Sequence, residues 1–499
     1  MKILSAHQIR ETDAYTIQHG PIASIDLMER ASRVFTEWLA TKFGNNNKIY
    51  IVCGTGNNGG DGMAVGRMLY EKEYQVAACV VGTGTGSEDF QINKEKLSRD
   101  IQIPIIEKKS DIPDFKDYEI IIDAIFGSGL SRAPSGIFAS VINAINHSPG
   151  IRVSVDISSG LFCDSSSNTN ISVQAEYTVS FQLPKMALLM AENDDSVGSW
   201  EVVDIGLDKG FINREVTPFH YLTKSFLDPF LFPRKKHAHK GDFGKGLLIT
   251  GSYGKMGASV LCARAYMRSG AGLLTVLAPK CGYQIIQTTI PEAMVVTNGN
   301  DTISDDLPPL DDYDIIGIGP GIGVGKSTTK ALKRILELAN HPVVIDADGL
   351  NIISQNRQLL KLIPPQSILT PHPKEFERLT GEATDNFNTI KKLIEFAKRL
   401  KCYVILKGAH TAISTPEGKV YFNSTGNPGM ATGGSGDVLT GVITSLMAQH
   451  QSPFHAAILG VFVHGLSGDI AADFLGQDGM IASDIVDHLP DALNSLHGS

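Results

Sequence analysis

The chain alternates short, almost entirely apolar runs with longer segments in which apolar residues recur at helical spacing. Each apolar run is rich in β-branched residues and ends in a glycine or a polar turn. Strands that are buried on both faces read as continuous apolar runs, so this alternation predicts the α/β class, with parallel sheets covered by helices on both sides. The predicted strands lie in KIYIVCG (48–54), QVAACVVG (75–82), EIIIDAIFG (119–127), RVSVDIS (152–158), GLLITG (246–251), LLTVLAP (273–279), DIIGIGPG (314–321), PVVIDADG (342–349) and CYVILKG (402–408).

The alternating pattern weakens between WEVVDIGLD (200–208) and HAHKGDFG (237–244). Pro218, Pro229, Pro233 and a basic triplet at 234–236 lie in this stretch. Because 499 residues exceed what one hydrophobic core normally holds, we predict two domains, 1–212 and 218–497. Ligands of such sheets bind at the carboxyl ends of the strands, where this sequence concentrates its glycines and aspartates.

Composition and charge exclude several classes of function. A net charge of −9, with no basic block except 234–236, argues against nucleic acid or a membrane as a partner. The N-terminus lacks the apolar core of a signal peptide, and we expect no apolar run long enough to span a bilayer. Six cysteines without a CxxC pair, and the lack of an HExxH motif, indicate reduced thiols in a cytoplasmic protein and argue against disulfides or a zinc site.

The turn GTGNNGGDG (54–62) follows one predicted strand and opens a helix. Its glycines match G-x-G-x-x-G, but the next strand, QVAACVVG, ends without the acidic residue that would hold a ribose, which disfavours an NAD dehydrogenase. Asn57, Asn58 and Asp61 instead offer side-chain oxygens for an ion or for a ribose and phosphate group. The plain alternative is a polar tight turn.

Two more carboxylates end strands in the first half of the chain. Asp123 and Asp156, together with Asn58 and Ser159, would supply hard oxygen ligands at one edge of the sheet. The alternative is that each aspartate caps the helix that follows it.

The segment STGNPGMATGGSGDVLTG (424–441) contains a glycine turn that leads into a helix predicted from Val438. Free N–H groups and the helix dipole make such a turn an anion site. Asp437, in the first turn, is either a helix cap or a base that takes a proton from a hydroxyl while the amides hold a phosphate.

Three further segments bear on a ligand site. GPGIGVGKST (319–328) is not a Walker loop, since Pro320 stands where that motif requires glycine. In TPHPKEF (370–376) two prolines fix the backbone around His372, which makes it a better ligand candidate than an isolated histidine. In KGAHT (407–411), Lys407, the Gly408 amide and Thr411 would line a nucleotide phosphate.

Taken together, these motifs resemble those of the bifunctional NAD(P)H-hydrate repair enzymes over nearly the whole chain. The resemblance rests on LMERA (27–31), GNNGGDG (56–62), DAIFGSGL (123–130), VDISSG (155–160), HKGDFGK (239–245), segment 251–258, IGPGIG (318–323), DADGLN (346–351), TPHPKEF, KGAHT and NPGMATGGSGDVLTG (427–441). One departure is visible, because the family usually has proline where this chain has Ser158.

For the first domain, the resemblance implies a Rossmann-like three-layer αβα sandwich that interconverts the R and S hydrates. It implies a potassium ion (K+) held by Asn58, Asp123 and Ser159, and Asp156 as the acid/base. The residues implied in binding the hydrate are Asn57, Asn58, Gly59, Gly60, Asp61, Gly127, Ser128, Gly129, Leu130, Ser131, Arg132, Ala133 and Asp156.

For the second domain, the resemblance implies a ribokinase-like α/β fold that dehydrates the S hydrate and splits ADP, its co-substrate, to AMP and phosphate with Mg2+. Asp437 would activate the hydroxyl of the hydrate. The hydrate would contact Ala258, Gly323, His372 and Asp437. The nucleotide would contact Lys407, Gly408, Ala409, His410, Thr411, Asn427, Gly433, Gly434, Ser435 and Gly436.

Two other functions remain open at this point. The second half alone would suit a ribokinase-type small-molecule kinase, and the first half alone would suit a non-catalytic nucleotide-binding or scaffold protein. The fused domains and the presence of Asp156 and Asp437 favour catalysis. We expect the hydrates NADHX and NADPHX and ADP as partners, and a homo-oligomer; the sequence leaves open the choices between ADP and ATP and between the two hydrates.

Overall fold

The computed structural model describes residues 1–20, 22–231 and 234–497. They form two compact units. Unit 1 comprises Met1–Thr217 with the tripeptide Asp385–Phe387, and unit 2 comprises the rest of the chain from Pro218 onward.

Unit 1 is built on a seven-stranded sheet with the strand order β3-β2-β1-β4-β5-β6-β7. All neighbouring strands are parallel, and β1 lies between β2 and β4, as in Rossmann-like sheets. The strands are β1 Lys48–Cys53, β2 Gln75–Val81, β3 Ile105–Ile106, β4 Ile120–Ala124, β5 Ile151–Val155, β6 Tyr177–Phe181 and β7 Ser199–Val203.

Helices accompany the sheet of unit 1. Helix α2 packs through an apolar stripe, in which Leu27, Ala31, Phe35 and Leu39 recur at helical spacing and are buried. The helices are α1 Ala6–His19, α2 Ser24–Lys42, α3 Asn57–Glu71, α4 Glu88–Leu97, α5 Gly136–Asn146, α6 Asp194–Val197 and α7 Lys209–Arg214.

Unit 2 is built on a ten-stranded sheet with the order β11-β10-β9-β12-β13-β14-β15-β16-β17-β8. The pairs from β11 to β15 are parallel, β15-β16-β17 are antiparallel, and β17 pairs in parallel with β8. The strands are β8 Phe219–Tyr221, β9 Lys245–Ile249, β10 Leu273–Ala278, β11 Met294–Thr297, β12 Ile315–Ile318, β13 Val343–Ile345, β14 Ile368–Leu369, β15 Tyr403–Leu406, β16 Ala412–Ser414 and β17 Val420–Phe422. The prediction of two α/β domains with largely parallel sheets is confirmed.

The helices of unit 2 pack on this sheet around one large apolar core. Residues of α15 and α16 are among the most completely buried, including Val442, Ile443, Ile458 and Val463. The helices are α8 Lys224–Leu227, α9 Met256–Arg268, α10 Tyr283–Thr289, α11 Lys326–Leu338, α12 Ala347–Gln355, α13 Pro373–Thr380, α14 Asn386–Leu400, α15 Ser435–Ala448, α16 Pro453–Leu475 and α17 Ala482–Leu496.

Helix α16 corrects the expectation that no apolar run is long enough to span a bilayer. In the described part of the chain it is the one helix, at 23 residues, that is long and apolar enough. However, 61% of its most apolar stretch is buried within the protein. Its apolar composition is therefore accounted for by its place in the core of unit 2.

Candidate active sites

In unit 1, the glycine turn predicted at residues 54–62 joins β1 to α3, with Gly56 as the N-cap of the helix. A Cβ atom on Gly59 would lie 1.9 Å from the carbonyl oxygen of Gly54, so the turn closes only with glycine at this position. Asn57 is exposed, whereas the backbone of the turn places Asn58 in the interior with 9% of its surface exposed. Gly60 packs against Met28.

Asp123 lies inside strand β4 and is completely buried. Its carboxylate accepts hydrogen bonds from the Ser159 hydroxyl at 2.6 Å, the Ser159 N–H at 2.8 Å and the Ser154 hydroxyl at 3.0 Å. The next helix, α5, begins at Gly136, so Asp123 is not a helix cap. Asp123 instead fixes the turn after β5 against the end of β4.

The donor set around this turn fits a monovalent cation. Within the described residues, the buried Nδ2 atom of Asn58 has no hydrogen-bond partner, and rotation of the amide would present its oxygen at the same place. The Ser159 hydroxyl lies 3.2 Å from the Phe126 carbonyl, and Asp123 contributes the carboxylate. One carboxylate with neutral oxygens suits a weakly charged ion, and the described residues contain no group of three His, Cys, Asp or Glu side chains able to hold a metal.

Ser158, which replaces the usual proline of the resembled family, is buried in this turn. Its hydroxyl lies 3.2 Å from that of Thr178, and its carbonyl accepts the Leu161 N–H at 3.1 Å. Hydrogen bonds thus hold the turn where a proline ring would have stiffened it.

Asp156 directly follows β5 and forms a buried ion pair with Lys185. Its backbone has a φ of +68°, a conformation that side-chain-bearing residues adopt rarely and that directs its carboxylate to the Phe181 N–H at 3.0 Å. The Lys185 ammonium also donates to the Ser180 hydroxyl and the Phe181 carbonyl, both at 2.9 Å. Sequence reasoning missed Lys185, although a lysine between Pro184 and the apolar run MALLM (186–190) is a signal of a buried charge.

Two more acidic residues lie in the electrostatic field of this ion pair. Burial and then the charge of Asp156 raise the pKa of Asp13 to about 7. Burial, with contributions from Asp156 and Asp13, raises the pKa of Asp61 well above its usual value, while the Ser32 hydroxyl lies 3.4 Å from that carboxyl group. Asp13 is also absent from the sequence-based prediction, because nothing in α1 marks it.

The predicted hydrate loop, 127–133, connects β4 to α5. Gly127 packs against Asn58, since a Cβ there would lie 3.2 Å from the Cβ of Asn58. The rest of the loop is exposed or half-buried and consists of Ser128, Gly129, Leu130, Ser131, Arg132 and Ala133. The structure thus joins this loop to the glycine turn at one point.

In unit 2, the glycine turn of segment 424–441 ends at α15, which begins at Ser435, three residues before the predicted start at Val438. Gly434 is the N-cap, with a φ of +98° that favours glycine. Asp437 therefore lies in the first turn, and within the described residues its carboxylate accepts no hydrogen bond. The helix-cap interpretation of Asp437 is not supported by this geometry.

The electrostatic setting of Asp437 comes from the end of β13. Asp346, which is 1% exposed, accepts a hydrogen bond from Lys407 Nζ at 2.8 Å and one from the Thr440 hydroxyl at 2.7 Å. Burial and then the charge of Asp346 raise the pKa of Asp437 to about 7. Asp346 belongs to the quoted motif DADGLN, but the sequence analysis assigned no role to it.

A cavity of about 750 Å³ brings most of the predicted residues of unit 2 together. Its lining contains His372, Lys407, Gly408, Ala409, His410, Thr411, Asn427, Gly434, Ser435, Gly436 and Asp437. Gly433, Ala258 and Gly323 are not in this lining. The Gly323 N–H donates to Asp348 at 2.8 Å, and the turn before it packs against Ala258, so these two residues form a neighbouring part of the same sheet edge.

His372 has a structural role in addition to facing the cavity. It is the N-cap of α13, where its Nδ1 accepts the Lys374 N–H at 3.1 Å and its own N–H donates to Glu375 at 2.9 Å. Burial, and then the positive charge of Lys407, lower its pKa. The imidazole is therefore neutral at neutral pH, and its Nε2 lies 3.5 Å from a carboxylate oxygen of Glu375 at the cavity wall.

Helix α16 contributes a second histidine that the sequence analysis did not identify. The Nε2 atom of His464 lies 3.0 Å from the Ser435 carbonyl and 3.3 Å from its hydroxyl. Burial lowers the pKa of His464 to about 4, so the ring is neutral. His464 thereby ties the start of α15 to the core helix α16.

Comparison with known proteins is consistent with this geometry in both units. The family model described as NAD(P)H-hydrate dehydratase matches residues 246–491, and that described as YjeF-related protein N-terminus matches residues 24–187. A solved structure of an ADP/ATP-dependent NAD(P)H-hydrate dehydratase from Bacillus subtilis, co-crystallised with ATP and Mg2+, is 31% identical with a TM-score of 0.51 and covers 56% of this chain and 98% of its own. A ribokinase-like superfamily protein from Enterococcus faecalis is 29% identical with a TM-score of 0.51 over the same share of this chain.

Relatives that match over the full length carry both domains. A bifunctional NAD(P)H-hydrate repair enzyme from Thermofilum pendens is 33% identical over 519 residues, which covers 99% of this chain and 97% of the relative. The protein of the same name from Escherichia coli is 31% identical over 476 residues, covering 94% and 89% respectively. With two family matches in order and relatives aligned from end to end, the chain belongs to the family of bifunctional NAD(P)H-hydrate repair enzymes.

Proposed function

We propose that this enzyme repairs hydrated NADH and NADPH in two steps. Unit 1 interconverts the R and S hydrates, and unit 2 dehydrates the S hydrate to the reduced cofactor while ADP is split to AMP and phosphate. The observation that carries the proposal is the position of Asp437. Its carboxylate accepts no hydrogen bond from the described residues and has a pKa raised to about 7. It lies in the first turn of α15, in a cavity large enough for a nucleotide.

In the proposed dehydration, Asp437 removes the proton of the hydrate hydroxyl. The oxygen attacks the terminal phosphorus of ADP, and the P–O bond to AMP breaks. Phosphate then leaves with the former hydroxyl oxygen while the ring loses a proton, which restores the dihydronicotinamide. The N–H groups of Gly434 and Gly436, at the start of α15, would donate to the transferred phosphoryl group and stabilise its charge.

Lys407 supports the same step from beside the start of α15, where its Nζ lies 3.2 Å from the place that a Cβ on Gly436 would occupy. Its ammonium is held at Asp346 and so is fixed near the phosphates rather than paired with Asp437. Mg2+ usually enters such sites on the nucleotide phosphates with one or two carboxylates, and Asp346 and Glu375 line the cavity beside Asp437. When bound, the ion would neutralise phosphate charge.

In the proposed epimerisation, Asp156 is the acid/base that moves a proton to or from the hydrate. Lys185 holds one carboxylate oxygen, so the position of Asp156 is fixed by an ion pair and by the Phe181 N–H. Potassium would be held by Asn58, Asp123 and Ser159, where it would keep the glycine turn and the turn before Asp156 in place. The route of inversion, by loss and return of water or by ring opening, uses the same proton transfer.

The small-molecule kinase is disfavoured as the alternative, since relatives aligned with both units are named repair enzymes. We further propose a cytoplasmic enzyme without a nucleic-acid or membrane partner, which the net charge of −9 supports. The homo-oligomer stays a prediction.

The experiment supplies purified protein with mixed R and S hydrates, Mg2+ and ADP, and follows the absorbance of the reduced cofactor. We expect full recovery of absorbance and one AMP per cofactor restored. ADP or ATP turnover that proceeds equally well without hydrate would instead support a kinase.

A further inference from the structure

The wall of the nucleotide cavity between Gly426 and Ala431 contains a short chain of hydrogen bonds that ends on helix α16. The Asn427 side-chain oxygen accepts the Gly429 N–H at 3.0 Å. Its Nδ2 atom donates to Oδ1 of Asp469 at 2.9 Å. The other oxygen of Asp469 accepts the Gly426 N–H, also at 2.9 Å.

These contacts fix the direction of every hydrogen bond in the chain. A backbone N–H can only donate, so Gly429 requires the oxygen of the Asn427 amide and turns the NH2 group towards Asp469. Asp469 then faces two donors, that NH2 group and the Gly426 N–H. An ionised carboxylate, which only accepts, satisfies both, whereas an amide of the same shape would oppose one donor with another.

The same stretch of α16 holds the loop at a second point. The Thr425 hydroxyl donates to the Phe462 carbonyl at 2.8 Å, and a Cβ on Gly465 would lie 2.3 Å from the Thr425 hydroxyl oxygen. The loop therefore lies directly on the helix. Gly426 adopts a φ of +105° at the bend that brings its N–H to Asp469.

We propose that Asp469 is a positioning residue for ADP, which acts by holding the loop from Thr425 to Gly429 in the wall of the nucleotide cavity. Asp469 is not in the cavity lining, so it acts through Gly426 and Asn427. The side chain of Asn427 is hydrogen-bonded to Gly429 and Asp469. These hydrogen bonds fix the conformation of the loop, and a bound nucleotide would contact the loop in that conformation. The inference rests on the proposed function, because it takes ADP as the occupant.

The test compares single and double exchanges of the two side chains in the full-length protein. Asp469→Asn should raise the Kd and KM for ADP about 10-fold, as expected when the exposed Gly426 N–H and the half-buried Asn427 amide lose a charged acceptor, with kcat changed less than KM. Asn427→Asp should weaken ADP binding too, because two carboxylates then face each other. The double variant Asp469→Asn, Asn427→Asp should restore affinity, since the amide and carboxylate are exchanged and every donor regains an acceptor.

Asp473→Asn is the matched control, because Asp473 is exposed one turn further along α16 and loses the same charge. ADP binding is measured by calorimetry with Mg2+ and compared with epimerase activity, which none of these variants should change. The inference is overturned if Asp469→Asn binds ADP with unchanged affinity. It is also overturned if the loss of affinity in the double variant equals the sum of the losses in the two single variants. Either result leaves the proposed function in place. A wild-type protein that does not bind ADP overturns both.

Discussion

The Nζ atom of Lys407 lies 2.8 Å from the carboxylate of Asp346, which places the single ammonium group of the unit 2 cavity lining on Asp346 and not on Asp437. The carboxyl groups of Asp346, Glu375 and Asp437 thus share the described cavity lining with this lysine, which pairs with Asp346. Asp437, which is not paired with the lysine, has its pKa raised to about 7. A carboxyl group with such a pKa both binds and releases a proton near neutral pH, as a general base must.

Asp437→Asn should abolish dehydration and leave epimerisation intact. Loss of a general base lowers kcat by about 10²–10⁴-fold, and the amide is close in shape to the carboxylate, so the fold is preserved. Asp305→Asn, at an exposed position of unit 2, is the control for loss of one charge. Recovery of NADH by Asp437→Asn at a rate near that of the wild type would remove this residue from the mechanism.

The dehydration rate should fall as the pH is lowered through about 7. The base acts only when ionised, and the pKa of Asp437 is raised to about 7 by burial and by Asp346, so the ionised fraction drops below that pH. In Asp346→Asn one cause of the raised pKa is removed, and the acid limb of the kcat profile should move to lower pH. An acid limb that stays in place in this variant would assign the titration to another group.

The buried pair of Asp156 and Lys185 should make a large contribution to the stability of unit 1. Lys185→Met leaves a buried carboxylate without its partner and should lower the free energy of unfolding by about 3–5 kcal/mol. The control is Lys209→Met, which breaks an exposed pair with Asp204 and should cost less than about 1 kcal/mol.

A double variant distinguishes the contribution of the ion pair to stability from that of side-chain packing. Asp156→Asn combined with Lys185→Met should be more stable than Lys185→Met alone, because the unpaired charge is gone. Both variants should lack epimerase activity. Urea unfolding gives the stabilities, and strictly additive effects of the two changes would argue against a coupled pair.

Epimerase activity should require a monovalent cation. Asn58, Asp123 and Ser159 offer one carboxylate with neutral oxygens, and the ion would fix the turns that carry Asp156. Rates are compared in potassium and in a bulky organic cation at matched ionic strength, for the wild type and Asp123→Ala. Equal rates in both salts for the wild type would leave Asp123 as a purely structural acceptor of four hydrogen bonds.

The hydrophobic pattern was sufficient to predict the two parallel sheets. Long apolar strands such as β1 and β10 carry a signal because they are buried on both faces. Strands of two or three residues, including β3, β14 and β8, are too short for any period and are defined only by their neighbours in the sheet. The start of α15 was placed late because Ser435 and Gly436 are weak helix formers that are held there by tertiary contacts such as the one with His464.

The residues of the candidate sites also fall into two groups, those that the local sequence marks and those that it does not. Asp437 and the glycine turns could be identified because local chemistry marks them. Lys185, Asp346 and Asp469 could not, since each gains its role from a partner 29, 61 or 42 residues away in the chain, Asp156, Lys407 and Asn427 respectively. Such pairings depend on how distant elements pack together and leave no local pattern.

We propose that one chain carries both repair activities, with Asp156 serving the first and Asp437 the second. The most direct measurement starts from purified R hydrate with Mg2+ and ADP and follows the absorbance of the reduced cofactor. The wild type should restore all of it, Asp156→Asn should be limited to the rate at which the hydrate epimerises without enzyme, and omission of nucleotide should stop recovery. Recovery by the wild type that is no faster than that of Asp156→Asn, or that proceeds without nucleotide, would contradict the account.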